Sequence, residues 1–522
     1  MRSVARSSLA AAVALLILPT LAPAQPAPLE GLDDYVTEAM AAWEVPGLAL
    51  AVVEDDSVVY ARGYGTRRRG RDAPVDANTL FAIGSSSKAF TSASLAMLSG
   101  EGKVSWDDPV HRLLPGLELH DPYVTREITV RDLLSHTSGL PRCDRVWYGT
   151  SFTREEILHR VRFCDPERSF RSRFGYQNIM FLAAGRVVAR LTGERWDRFV
   201  EERIFAPLGM ERSSTSVDSL RGMSNVASPH AEVGDTVRAI EWRDIDNIGP
   251  AGSVNSSVAE MAQWIRLQLG EGSYEGERLI PAAAVREMHT PQTLIRREAP
   301  WDRTFPESHL LAYGLGWFLH DYRDRMVVEH GGAIDGMRAQ VTLVPEEELG
   351  LVVLTNMGTS TGLGTALQYR VLDAYLDAGE RDWAARYLAV TDSLEAEQEK
   401  QERELREARA GDTEPSLPLA QYAGTYADSL YGEIDVRHED GTLTMAYESF
   451  EGTLEHWHHD TFRARFRDAL SAEMGLGATL FTFRLDATGR VEALEAPGMG
   501  RFGRVPEKTD GGESDEERGG RR

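Results

Sequence analysis

With 522 residues and 42% hydrophobic content, the chain is long enough for more than one domain and can build at least one large core. Its formal net charge of -24, with no clustered basic stripe, repels nucleic-acid phosphates and anionic membrane surfaces, which argues against a nucleic-acid partner. Two cysteines, Cys143 and Cys164, permit a single disulfide, although sequence does not reveal whether their Cα atoms approach closely enough.

At the start, Arg2 and Arg6 precede an apolar run from Leu9 to Leu18, and Ala22-Pro23-Ala24 offers small residues for cleavage before Gln25. The expectation is a signal peptide over 1–24 and a periplasmic or secreted mature protein. No later stretch is apolar enough to cross a bilayer. In an oxidising compartment a Cys143–Cys164 bond would be structural.

Leu29 to Trp43 has helical apolar spacing, and Leu48 to Val53 with Val58 to Tyr64 read as a hairpin turning at Glu54-Asp55-Asp56-Ser57. From Ser85 to Leu311 the pattern is mainly helical. Ala312 to Trp317, Met326 to Glu329, Gln340 to Val344 and Gly350 to Asn356 read as short strands, and Gly362 to Ala378 as a helix. Strands from both ends of one domain with a helical block between them predict an α+β fold over residues 25–380: an antiparallel sheet flanked by helices, with a helical inserted subdomain. Residues 381–413 read as a charged helical linker. Residues 414–507 carry short strands at Gly424 to Tyr426, Glu433 to Arg437, Thr442 to Tyr447, Thr461 to Arg465 and Thr479 to Arg484, predicting a small antiparallel β-barrel. Residues 508–522, charged and glycine-rich, are expected to be disordered.

Three motifs carry chemistry. In Gly84-Ser85-Ser86-Ser87-Lys88, ahead of an apolar helical stretch, Ser85 and Lys88 are three apart and share a face of the first turn. Ser-x-x-Lys alone is a weak pattern. Only four of the 57 basic residues are lysines, however, and Lys88 is the one with a serine three places before it. A desolvated lysine amine can lose its proton and accept another, which arginine cannot do. The second motif, Tyr176-Gln177-Asn178, precedes a helical run, and a cation near Tyr176 would favour its phenolate. In the third, an apolar strand ends at His330-Gly331-Gly332-Ala333, where glycines would let a substrate backbone approach, and the N–H groups of Ala333 and Ser85 could serve as oxyanion donors.

In this order and spacing the motifs resemble the penicillin-binding-protein and serine beta-lactamase superfamily, in particular its class C beta-lactamase, D-aminopeptidase and esterase branch. Leu133 to Pro141, Pro207-Leu208-Gly209-Met210, Pro250-Ala251-Gly252-Ser253 and Tyr313-Gly314-Leu315-Gly316-Trp317 look like further family landmarks. The C-terminal barrel resembles the lipocalin-like domain appended to some of these peptidases. The resemblance implies a serine hydrolase that acts through an acyl-enzyme on an amide or ester. Ser85 would be the nucleophile, Lys88 its proton acceptor, Tyr176 the base or shuttle, and Asn178 a contact for the substrate amide. His330 stands where beta-lactamases of this branch carry lysine, so a peptidase of D-amino-acid peptides or an esterase ranks above a true beta-lactamase. The substrate would be a small peptide, ester or beta-lactam, with no cofactor required. The opposing reading is a binding or scaffold protein of the same fold that has lost turnover. His136 reads as a packing and hydrogen-bonding residue, and the run His456, His458, His459, Asp460 as solvated rather than metal-ligating.

Overall fold

The computed structural model describes residues 27–234, 236–298, 301–467 and 479–506. The signal peptide expected over 1–24 and the tail expected over 508–522 lie outside the described residues. Leu32, Val36, Ala39 and Met40 bury one face of α1 (Leu32–Ala42), and Asp33 and Asp34 occupy its first turn, where the helix dipole favours acids. Strand β1 (Gly47–Glu54) turns through the expected hairpin into β2 (Ser57–Gly65). The inserted block contains α2 (Lys88–Gly100), α3 (Asn178–Thr192) and α4 (Val258–Leu269). The chain then returns to the sheet as β3 (Thr293–Leu294), β4 (Leu311–Tyr313), β5 (Phe318–Tyr322), β6 (Arg325–Ile334), β7 (Met337–Val344) and β8 (Leu349–Thr355).

The strands form one antiparallel sheet in the order β2-β1-β8-β7-β6-β5-β4-β3, so the first and last pieces of the domain meet where Leu48 faces Thr355. Alternation along β1 serves two cores. Leu48, Leu50 and Val52 face α1 and α5 (Leu363–Tyr375), whereas Ala49, Ala51 and Val53 face the helical block. This is the α+β sheet with an inserted helical subdomain that the pattern predicts.

Two strand readings change. The segment read as one strand, Ala312 to Trp317, is the end of β4 and a turn before β5; Gly316 there has φ +83°, and a Cβ on it would lie 2.5 Å from Ser92 Oγ. Strand β6 does not stop at His330 but continues to Ile334, because Gly331, Gly332 and Ala333 pair with Gln340, Ala339 and Arg338 of β7.

The charged stretch after residue 381 is the helix α6 (Trp383–Glu407). Its first turns are anchored, with Trp383 Nε1 donating to Asp373 Oδ2 at 2.6 Å, and the remainder is exposed and carries i,i+4 pairs such as Arg406–Glu402. Beyond it lies a closed antiparallel barrel of eight strands: β9 (Gly424–Asp428), β10 (Gly432–Glu439), β11 (Thr442–Tyr447), β12 (Phe450–His458), β13 (Thr461–Phe466), β14 (Leu480–Leu485), β15 (Val491–Ala496) and β16 (Gly500–Arg504). Closure removes the free edges that an open sheet would expose. The barrel docks on residues 145–160: Tyr447 OH donates to the carbonyl of Arg145 at 2.7 Å, Ser449 N–H to that of Gly149 at 3.2 Å, and Arg160 Nη1 to that of Ser429 at 3.1 Å. Among the described residues, no helix is long and apolar enough to cross a membrane.

Candidate active site

Ser85 sits in one turn of 3-10 helix, Gly84–Ser87, and α2 begins at Lys88. The tight turn exists because Gly84 takes φ +50° and Ser87 Oγ donates to the Gly84 carbonyl at 2.7 Å. Helical geometry then brings the two side chains together: Lys88 Nζ lies 3.0 Å from Ser85 Oγ and donates to the Ala251 carbonyl at 2.7 Å. The Ala251 carbonyl belongs to the Pro250-Ala251-Gly252-Ser253 landmark.

Lys88 is fully buried. Burial is the main cause that holds its ammonium well below the ordinary lysine range, and the Arg142 cation adds to it against a weaker opposing pull from Asp144. The Tyr176 environment pulls in two directions. Burial pushes its phenol up, which favours the neutral hydroxyl, against smaller opposing effects of a hydrogen bond with Ser85 and of the Arg142 cation. Its ring nevertheless lies within 4.9 Å of both the Lys88 ammonium nitrogen and the Arg142 guanidinium carbon.

The opposite wall is β6. His330 Nδ1 lies 2.6 Å from the Gly331 carbonyl and Nε2 3.0 Å from Tyr313 OH, which fits a neutral ring protonated at Nδ1 and accepting from the tyrosine. Burial pushes His330 down to about 3, in keeping with that neutral form. A Cβ on Gly332 would stand 1.8 Å from the Ile83 carbonyl oxygen and 3.2 Å from Ser85 N, and one on Gly84 would stand 2.5 Å from Ala333 N. The glycine at 332 is thus required by the approach of the strand to the serine turn, not only by an incoming substrate. Ser86 Oγ pins the two together by donating to the His330 carbonyl at 2.9 Å.

A cavity of about 370 Å³ opens over Ser85, with Arg142, Tyr176, Trp301, Phe318 and His330 among its walls. A larger one, of about 850 Å³, lies between Leu113–Leu117 and residues 155–163, away from Ser85. Asn178 is at the first position of α3 and buried, and its Nδ2 already donates to Asp144 Oδ1 at 2.9 Å. His136 packs against Tyr176 with ring centroids 4.3 Å apart and accepts the Gln177 N–H at Nδ1.

Two residues here have no signature in the sequence. Arg142 Nε donates to Asp144 Oδ2 at 2.6 Å, and Asp144 Oδ1 also accepts from Trp147 Nε1 and Asn178 Nδ2. They flank Cys143, which is bonded to Cys164, and Cys143 holds φ +47°. Among the described residues no group of three or more His, Cys, Asp or Glu side chains is placed to hold a metal. In the barrel, His456 Nε2 lies 3.0 Å from the His459 carbonyl, His458 Nδ1 accepts from the Ala410 N–H, and Asp460 accepts from Ser416.

The fold and this constellation define a beta-lactamase and penicillin-binding-protein type of domain. The chain belongs to the Beta-lactamase family, whose model matches residues 32–376, and a domain of unknown function (DUF3471) matches residues 408–507. It is 30% identical over 479 residues to Unguisins hydrolase ungD of Aspergillus violaceofuscus (strain CBS 115571), covering 84% of this chain and 83% of that protein. It is 28% identical over 334 residues to Penicillin-binding protein 4 of Amycolatopsis lactamdurans, covering 62% of this chain and 84% of that one. Among solved structures, the octameric penicillin-binding protein homologue from Pyrococcus abyssi shares the fold with a TM-score of 0.60 at 21% identity, over 91% of this chain and 99% of that one. Family and relatives are those of hydrolases of the beta-lactamase and penicillin-binding-protein superfamily.

Proposed function

We propose that the protein is an exported serine hydrolase that opens an amide or ester through an acyl-enzyme on Ser85. The observation that carries this reading is a fully buried lysine whose Nζ lies 3.0 Å from Ser85 Oγ, in a chain where only four of the 57 basic residues are lysines. With one N–H on the Ala251 carbonyl, the neutral Lys88 amine can turn its lone pair to the serine hydroxyl. Ser85 Oγ bonds to the substrate carbonyl carbon as its proton passes to Lys88, and the N–H groups of Ser85 and Ala333 stabilise the oxyanion. The C–N or C–O bond then breaks. The leaving group takes the proton, relayed by the Tyr176 hydroxyl, which stays neutral throughout. Water next attacks the ester, with the same groups acting in reverse.

His330 contributes shape and a hydrogen bond rather than charge, which favours a peptidase of D-amino-acid peptides or an esterase over a true beta-lactamase. Asn178 holds Asp144 with one N–H of its amide, and its second N–H and its carbonyl oxygen are the groups offered to the substrate amide. The Cys143–Cys164 bond supports a periplasmic or secreted location. The test is intact-protein mass spectrometry after exposure to beta-lactams, D-amino-acid peptides and short esters, with Ser85→Ala as control. An acyl adduct on the wild type alone is expected, and undiminished turnover by Ser85→Ala would refute the proposal.

A further inference from the structure

The turn between β11 and β12 of the barrel presses Phe450 onto the catalytic domain. Its ring stacks on Tyr148 with centroids 6.0 Å apart and planes 25° apart, and it lies under the Arg145 guanidinium at 5.6 Å. The contact is close enough to dictate a glycine: Gly149 has φ +69°, and a Cβ there would stand 2.6 Å from Phe450 Cζ. Tyr148 does not end the chain of contacts. Its hydroxyl donates to Asp335 Oδ1 at 2.6 Å, both residues are buried, and Arg243 Nε donates to the other carboxylate oxygen at 2.7 Å while lying over the Tyr148 ring. Asp335 is in the turn that joins β6 to β7, two residues beyond Ala333.

We propose that Phe450 and Tyr148 are positioning residues: through Asp335, the barrel turn sets where Gly332 and Ala333 lie against the Ser85 turn. This rests on the acyl-enzyme reading of Ser85. The Asp335 carboxylate is buried and held by a phenol and a guanidinium, so it moves with Tyr148, and the Tyr148 ring packs against both Arg243 and Phe450. Gly332 has no slack of its own, since even a Cβ added to it would stand 1.8 Å from the Ile83 carbonyl oxygen. A displacement of the turn at 335 therefore moves the Ala333 N–H relative to Ser85, and small misplacements of such donors are costly in rate.

The test is a double-mutant cycle on the full chain with Tyr148→Phe, which removes one oxygen, and Phe450→Ala. The readout is the rate of Ser85 acylation by an activated short ester, resolved into kcat and KM. Each single variant is expected to lose on the order of tenfold to a hundredfold, mainly in kcat. The double variant should be close to Phe450→Ala alone, because both act on one path. Phe450→Trp, which keeps an aromatic face for Tyr148, should recover most of the rate. Wild-type kcat in Tyr148→Phe, or losses that multiply in the double variant, would overturn the positioning role. A wild-type protein that never acylates at Ser85 would instead overturn the hydrolase reading beneath it.

Discussion

Lys88 shows how much one side chain is asked to do. In the unfolded chain its amine keeps the ordinary value near 10.4, whereas burial lowers it in the fold. Between the folded and unfolded values the unfolded chain therefore binds one more proton, so stability rises with pH across that window. Replacing Lys88 by Met is expected to abolish acylation, raise the melting temperature at pH 7 and flatten this dependence, all readable from thermal melts at several pH values. Lys88→Arg keeps a cation that cannot deprotonate and should lower kcat by about 10²- to 10⁴-fold. Arg142 tests the same electrostatics from outside. Its cation disfavours the charged form of Lys88, so Arg142→Gln should move the acid limb of the kcat/KM profile to higher pH. An unmoved limb would show that burial alone sets the amine. Ser85, Lys88 and Tyr176 were legible because their spacing along helix starts is local, whereas Arg142 and Asp144 were not: their partners, Tyr176 and Asn178, lie more than 30 residues away.

At the scale of elements, the central sheet was readable because β1 and β8 are nearly continuous apolar runs, the pattern of strands buried on both faces. Three barrel strands were not. Strand β12 loses its period of two at a register shift between His456 and His458, β15 reads Val-Glu-Ala-Leu-Glu-Ala with residues that favour helix, and β16 carries Gly500 and Gly503. In each, pairing to neighbours overrides local preference. The β6 glycines misled for a related reason, since they mark a close approach rather than a strand end. Gly332→Ala should therefore retain the fold but lose activity and about 1–3 kcal/mol of stability as the strand retreats from the Ile83 carbonyl, which assays and melts would register together.

For the whole molecule, the disulfide spans 21 residues and ties the Arg142–Asp144 corner to Cys164. Its removal by Cys143→Ser with Cys164→Ser should lower stability by roughly 3 kcal/mol, measured by denaturant unfolding with and without reductant. An unchanged midpoint would show that the corner holds itself. A different feature governs how the catalytic domain comes apart. Because the odd and even residues of β1 belong to opposite hydrophobic layers, that strand is a party wall between two rooms. Neither side can empty without exposing the other, and a one-residue slip would swap the leucines of one layer with the alanines of the other. The domain should accordingly melt as a single cooperative body, with no stage in which one layer survives its neighbour.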